Sequence, residues 1–116
     1  MKTTEQTKIE SLIKSFLSSA NKFDVEKVLT LFAPEAVIDD VSVGSEFKNT
    51  SGVRRYLETF FVGYKTKTKL LSLKVIDSLH FHAHVDFTGN FGHETGTLNF
   101  TINAGGLITR IDADLD

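Results

Sequence analysis

The first groups to weigh are the carboxylates that close an apolar run. Ala36-Val37-Ile38 leads directly into Asp39-Asp40. Residues two apart on a strand share a face, so Ile38 and Asp40 point one way and Val37 and Asp39 the other. With Ile38 inward, Asp40 stands at the mouth of the interior, where Tyr56 or Tyr64 is the available hydrogen-bond donor. Surroundings of rings favour the neutral form of a carboxyl group, which suits one that takes up a proton near neutral pH. Asp40 is the candidate general base. The plainer reading is a strand-end carboxylate that caps its own turn.

Four further polar groups invite chemistry. His80, His82 and His84 recur at spacing two, followed by Asp86. Two such histidines on a strand can ligate zinc, with Asp86 as third ligand or as an orienting partner. Their expected neighbours, Lys74, Thr97 and Asn99, are not zinc ligands, so no metal site is assigned. A polar face, solvated or packed on a second copy, fits these residues better, and histidines there would make pairing sensitive to pH. Asp112 and Asp114 share a face with Arg110, opposite Ile111, Ala113 and Leu115, and only a one-residue bulge would turn them inward. His93 with Glu94 stands on a loop that overlooks the pocket mouth.

Composition removes several classes. The chain of 116 residues carries a formal net charge of −2 and no Lys/Arg block, so it is not read as a nucleic-acid binder. It has no cysteine, which excludes disulfides, thiolate metal sites and a cysteine nucleophile. No pattern calls for a cofactor. The first residues lack the apolar run of a signal peptide, and no stretch approaches the ~18 apolar residues of a membrane span. A cytoplasmic protein is expected. Ten Phe against two Tyr and no Trp point to an interior lined with rings that lack a polar handle.

The elements that must position these groups follow from periodicity. Ile9, Leu12, Ile13, Phe16, Leu17 and Ala20 form one helical stripe, with Thr3 and Gln6 resembling a capping box. Asp24 is the N-cap of a second helix carrying Val25, Val28, Leu29 and Phe32, which Pro34 stops. Residues 36–41 read as a strand and residues 41–47 as a turn and a weaker strand. Asn49-Thr50-Ser51 opens a third helix with Val53, Tyr56, Leu57, Phe60 and Phe61 on one side and Gly63 as its left-handed end. From Lys65 the period changes to two. Leu71, Leu73 and Val75, then Phe81, Ala83, Val85 and Phe87, then Leu98, Phe100 and Ile102, then Ile111, Ala113 and Leu115 alternate with polar residues. Four strands with three turns make an antiparallel meander, and the helical stripes must cover its apolar face.

This order resembles the nuclear transport factor 2-like superfamily, in its SnoaL-like form. The segment Phe23 to Asp40, with Phe32-Ala33-Pro34-Glu35-Ala36, looks like that family's acid-capped short helix leading into a strand. Phe47 to Phe61 is similar to its next loop and helix, and Gly105 to Asp112 resembles its last hairpin. Asn49 stands where the family usually has Gly, and Asn is the best other resident of left-handed backbone. The resemblance implies one SnoaL-like domain over residues 1–116, an α+β cone-shaped roll with three helices on a curved mixed, mostly antiparallel sheet (cystatin-like, nuclear transport factor 2-like).

It also implies a pocket between the sheet's concave face and the helices. Its expected lining is Phe16 and Ala20 from the first helix, Tyr56 and Phe60 from the third, and Ile38, Phe81, Val85, Phe87, Phe100 and Ala113 from the sheet. Such a lining suits a small apolar ligand, while the plainer reading is a filled core. In relatives of the steroid isomerase type the acid aligned with Asp40 is the base. The two donors that such chemistry needs stand where this chain has Phe16 and Leu98, and a base without them forfeits several kcal/mol of barrier reduction. Polyketide cyclase and epoxide hydrolase relatives place an inward acid on the last strands, where this chain has Ile111, Ala113 and Leu115. Three readings follow: a small-molecule binder without chemistry, an isomerase, lyase or cyclase using Asp40, and a module that works as a homodimer through the outer sheet face.

Overall fold

The computed structural model describes residues 4–116. Thr3 of the expected capping box lies outside them. Helix α1 (Thr4–Asn21) buries the stripe of Ile9, Ile13, Phe16, Leu17 and Ala20. Its end is tied to the sheet by Asn21, whose side chain donates to the Thr68 carbonyl at 2.9 Å and accepts from the Thr68 N–H at 2.7 Å. Helix α2 (Val25–Leu29) is capped by Asp24, which accepts from the Lys27 N–H at 3.2 Å. The helix ends at Leu29, five residues before Pro34. The expected boundary at Pro34 is therefore corrected: strand β1 runs from Phe32 to Asp40, and Pro34 lies inside it. Pro34 sits between Phe32 and Val37, where the pairing register shifts, so its missing N–H interrupts no regular ladder.

Strand β2 (Ser45–Lys48) pairs antiparallel with β1. Helix α3 (Asn49–Tyr56) follows, and Asn49 takes φ +65 at the turn. One regular helix was expected to continue to Phe61. Instead residues Leu57–Val62 widen into a π-helical turn. Gly63 has φ −60 and is not a left-handed cap; that conformation falls on Lys65, at φ +53. Gly63 is small for another reason. A Cβ there would stand 2.5 Å from the Thr59 carbonyl oxygen.

Strands β3 (Lys67–Val75), β4 (His80–Gly89), β5 (Gly92–Ile102) and β6 (Ile108–Leu115) form the meander. The six-stranded sheet has the order β2-β1-β6-β5-β4-β3, and every neighbouring pair is antiparallel except β1 with β6. One alternation breaks. The register of β3 against β4 shifts between Leu70 and Ser72, and Leu71, expected inward, is 45% exposed. The extra residue at the bulge flips the parity before it, so Leu70 packs on the core in place of Leu71, while Leu73 and Val75 face inward as expected.

One apolar cluster joins α1, the third helix and the inner face of the sheet. It is the fold the periodicities and the resemblance predict, an α+β roll with its helices in the first half of the chain and a mixed, mostly antiparallel sheet. Among the described residues no helix is long and apolar enough to cross a membrane.

Candidate functional site

The aromatic residues separate into two groups. Phe81 and Phe100 stack at 4.7 Å with an interplanar angle of 7°, and Phe16 meets Phe100 edge-on at 5.5 Å and Phe32 at 6.2 Å. These rings are buried and fill the middle of the roll. The second group is a chain of contacts from the sheet to the open end of the cone. Phe87 meets Phe61 at 6.4 Å, Phe61 meets Tyr56 at 6.2 Å, and Tyr56 meets Phe60 at 5.0 Å. Phe60 then meets Tyr64 at 5.9 Å, and Tyr64 meets Phe91 at 6.1 Å. These six rings line a cavity of about 270 Å³.

The position of the cavity follows from the elements. The π-helical turn brings Phe60 and Phe61, adjacent in sequence, onto the same wall. Thr66 anchors the segment that leaves the turn, its hydroxyl donating to the Phe60 carbonyl at 2.6 Å. Val43 from the β1–β2 turn, Phe91 from the β4–β5 turn, Glu94 from β5 and Leu115 from β6 complete the rim.

Asp40 is the polar centre of this wall. It is 7% exposed, lies with Ile38 on the inner face, and lines the cavity. Its Oδ1 accepts from the Ser42 N–H at 2.9 Å and from the Ser42 hydroxyl at 2.5 Å. Its Oδ2 accepts from the Tyr56 hydroxyl at 2.6 Å. The carboxylate therefore both caps its turn and faces the cavity. All three hydrogen bonds of the carboxyl oxygens are accepted ones, two from Ser42 and one from Tyr56. Burial pushes the Tyr56 phenol well above its usual pKa, and the charge of Asp40 and the bond to it push in the same direction.

The expected lining is redistributed. Tyr56, Phe60 and Phe87 line the cavity. Phe16, Ala20, Ile38, Phe81, Val85, Phe100 and Ala113 are inward but belong to the packed core, not to the cavity wall. Strand parity shows which side chains face in. It does not show which of them meet one another and which border space. Phe61, Tyr64, Phe91, Thr66, Ser42 and Leu115 were not among the expected lining. The signal for Phe61 was its place beside Phe60 in the third helical stripe, and for Leu115 its parity with Ala113.

The outer face is a set of local pairs. His80 meets Asp77 at 2.9 Å, His84 meets Asp116 at 2.9 Å, and His93 meets Asp86 at 2.7 Å. Asp86 stays on the face of the histidine row and is engaged there by His93, which corrects the expectation that His93 overlooks the pocket. Glu94, one residue on, points the other way and lines it. Arg110 reaches Asp39 at 3.2 Å and Asp112 at 2.9 Å, so Asp112 faces outward beside Arg110. Among the described residues no three acids and histidines are grouped to hold a metal ion.

A second hollow of about 690 Å³ lies between the first turns of α1 and the β5–β6 turn, bordered by Lys8, Leu12, Leu79, Asn103 and Gly105. It is the wider of the two, but it holds no buried ionisable group and opens at the far end of β5 from the aromatic cavity.

The sequence alone matches no protein-family model and no curated protein. The fold has close counterparts among solved structures. A protein of unknown function with a cystatin-like fold from Methylobium petroleophilum superposes with a TM-score of 0.83 at 19% identity, over 94% of this chain and 76% of its own. A Mycobacterium tuberculosis protein solved with estradiol-17beta-hemisuccinate superposes at 0.77 with 19% identity, over 88% of each chain. A nuclear transport factor 2-like protein of unknown function from Cytophaga hutchinsonii superposes at 0.76 with 12% identity, over 100% of this chain and 93% of its own. The chain therefore has the nuclear transport factor 2-like, cystatin-like fold.

Proposed function

We propose that this chain, as one SnoaL-like domain, binds a compact and mainly apolar small molecule in the aromatic cavity and performs no chemistry on it. The observation that carries this reading is the separation of the rings into a filled core and a second group that borders open space. Six rings around a cavity with one buried polar centre are the composition of a small-molecule site. At about 270 Å³ the cavity falls just below the roughly 300–1,000 Å³ of sites that enclose drug-sized ligands, which favours a ligand smaller than the steroid ester held by the Mycobacterium tuberculosis protein. Titration with 2-naphthylmethanol followed by ligand-observed NMR tests the reading. Saturable binding is expected, and Val43→Trp, a plug placed on an exposed rim position, is expected to abolish it. Absence of any saturable binding to the wild-type chain would overturn it.

A second reading, Asp40 as general base, has one observation in its favour: a buried carboxylate on the cavity wall. The same geometry weighs against it. The donors next to Asp40, the Tyr56 hydroxyl and the Ser42 hydroxyl and N–H, are spent on Asp40 itself, and a base needs separate donors for the oxygen on which charge develops. Proton exchange next to the carbonyl of a cyclic ketone, accelerated by the wild-type chain and not by Asp40→Asn, would establish this reading over binding alone.

The outer sheet face is the proposed surface for a second copy. It carries half-exposed polar side chains around Arg110, Asp39 and Asp112 on one side and His82 beside Lys74 on the other, so an antiparallel pairing of two copies sets acids against bases. Light scattering at micromolar concentration is expected to give twice the chain mass, and a chain mass would remove this part of the proposal.

A further inference from the structure

The charges around the aromatic cavity are one-sided. Two carboxylates line it, Asp40 in the wall and Glu94 at the rim. Among the described residues no Lys, Arg or His lines it. Three cations of this part of the molecule are engaged elsewhere. Arg54 is paired with Glu26, Arg55 lies over the Phe47 ring at 5.3 Å, and His93 is paired with Asp86 across the outer face. Glu94 contributes its charge at the rim without any ion pair among the described residues. The remaining lining is dominated by rings, whose faces carry negative electrostatic potential.

A cavity with two acids, six rings and no base repels an anionic head group and gains little from a neutral one. It attracts a cation twice over, through the carboxylates and through the rings, and both effects strengthen where water is displaced. Asp40 already has three donors, but each of its oxygens can accept two hydrogen bonds and Oδ2 accepts one, from Tyr56, so Oδ2 retains capacity for an N–H of a ligand.

We infer that the cavity selects an organic cation: a protonated amine or quaternary ammonium on a compact apolar body, its charge between Asp40 and Glu94 and its body against the rings. This rests on the binding reading above and specifies its ligand class. The juxtaposition is of one buried carboxylate, one rim carboxylate and an uninterrupted chain of six rings.

Three probes with one apolar body separate the two claims: 2-naphthylmethylammonium, 2-naphthylmethanol and 2-naphthoate, each titrated by calorimetry into the wild-type chain. The ammonium is expected to bind at least about tenfold more tightly than the alcohol, with the carboxylate weakest. Glu94→Gln, at an exposed position where folding is not at stake, is expected to weaken the ammonium at least about threefold more than the alcohol. Raising salt is expected to weaken the ammonium and to leave the alcohol unaffected. Equal affinity for ammonium and alcohol, or preference for the carboxylate, overturns the cation assignment and leaves the binding reading standing. Binding of none of the three overturns both.

Discussion

The Tyr56 hydroxyl donates to Oδ2 of Asp40 at 2.6 Å, and both residues are over nine-tenths buried at one end of the sheet. A buried hydrogen bond to a charged group contributes more than a neutral one, and removing one partner leaves the other uncompensated. Tyr56→Phe keeps the ring contacts with Phe47, Phe60 and Phe61 and removes only the donor. It is expected to lower the unfolding free energy by about 1–3 kcal/mol, read from urea denaturation. A change within experimental error would show that the bond adds nothing to stability.

Burial of the Tyr56 phenol, together with the charge of Asp40 and the bond to it, sets an alkaline limit. The folded-state pKa of Tyr56 is raised above the ordinary value of 10.0. Below that value both folded and unfolded chains hold the phenolic proton, and the full contribution is present. As pH rises past it, the unfolded chain loses the proton first, so stability falls. Wild type is expected to lose stability more steeply than Tyr56→Phe between neutral pH and pH values above 10.0. Parallel pH profiles of the two chains would contradict the assignment.

The two aromatic groups are expected to respond differently to truncation. Phe81 is 0% exposed and stacked on Phe100, so Phe81→Ala leaves a void in a packed core and costs about 3–5 kcal/mol. Phe91 is 44% exposed on the rim. Phe91→Ala is expected to cost under about 1 kcal/mol and to weaken ligand binding instead. Thermal unfolding of both variants distinguishes a core ring from a rim ring.

Gly63 tests the π-helical turn. Its φ of −60 is open to any residue, yet a Cβ there would meet the Thr59 carbonyl oxygen at 2.5 Å, a backbone atom that cannot step aside. Gly63→Ala is expected to destabilise by about 1–3 kcal/mol through this overlap, and to disturb the cavity wall that Phe60 and Phe61 form. A neutral effect would mean that the turn relaxes to ordinary α-helix without cost.

Asn49 tests the entry to the same helix. Its φ of +65 costs most side chains about 1–2 kcal/mol and glycine almost nothing. Asn49→Gly is expected to be neutral or slightly stabilising, and Asn49→Ala to cost about 1 kcal/mol, measured as midpoint shifts in the same denaturant.

Much of this protein was legible along the chain because the relevant forces are local and periodic. Apolar side chains at helical spacing had to make one buried stripe on α1, and alternation from Phe81 to Phe87 and from Leu98 to Ile102 had to put one face of each strand inside. The same parity carried Asp40 to the inner face with Ile38, and kept Asp112 outside with Arg110. What the tertiary structure alone decided is where local rules are overruled by distant partners. Pairing with β6 draws the chain from Phe32 onward into β1 and absorbs Pro34. One extra residue between Leu70 and Ser72 turns Leu71 outward. The π-helical turn sets Phe60 and Phe61 on one wall, and Glu94 rather than His93 reaches the cavity. Parity can say that Phe100 and Phe87 both face inward. Whether a ring then meets another ring or open space depends on the summed volumes of side chains from elements far apart in sequence, and that sum exists only once the sheet has curved and the helices have closed on it.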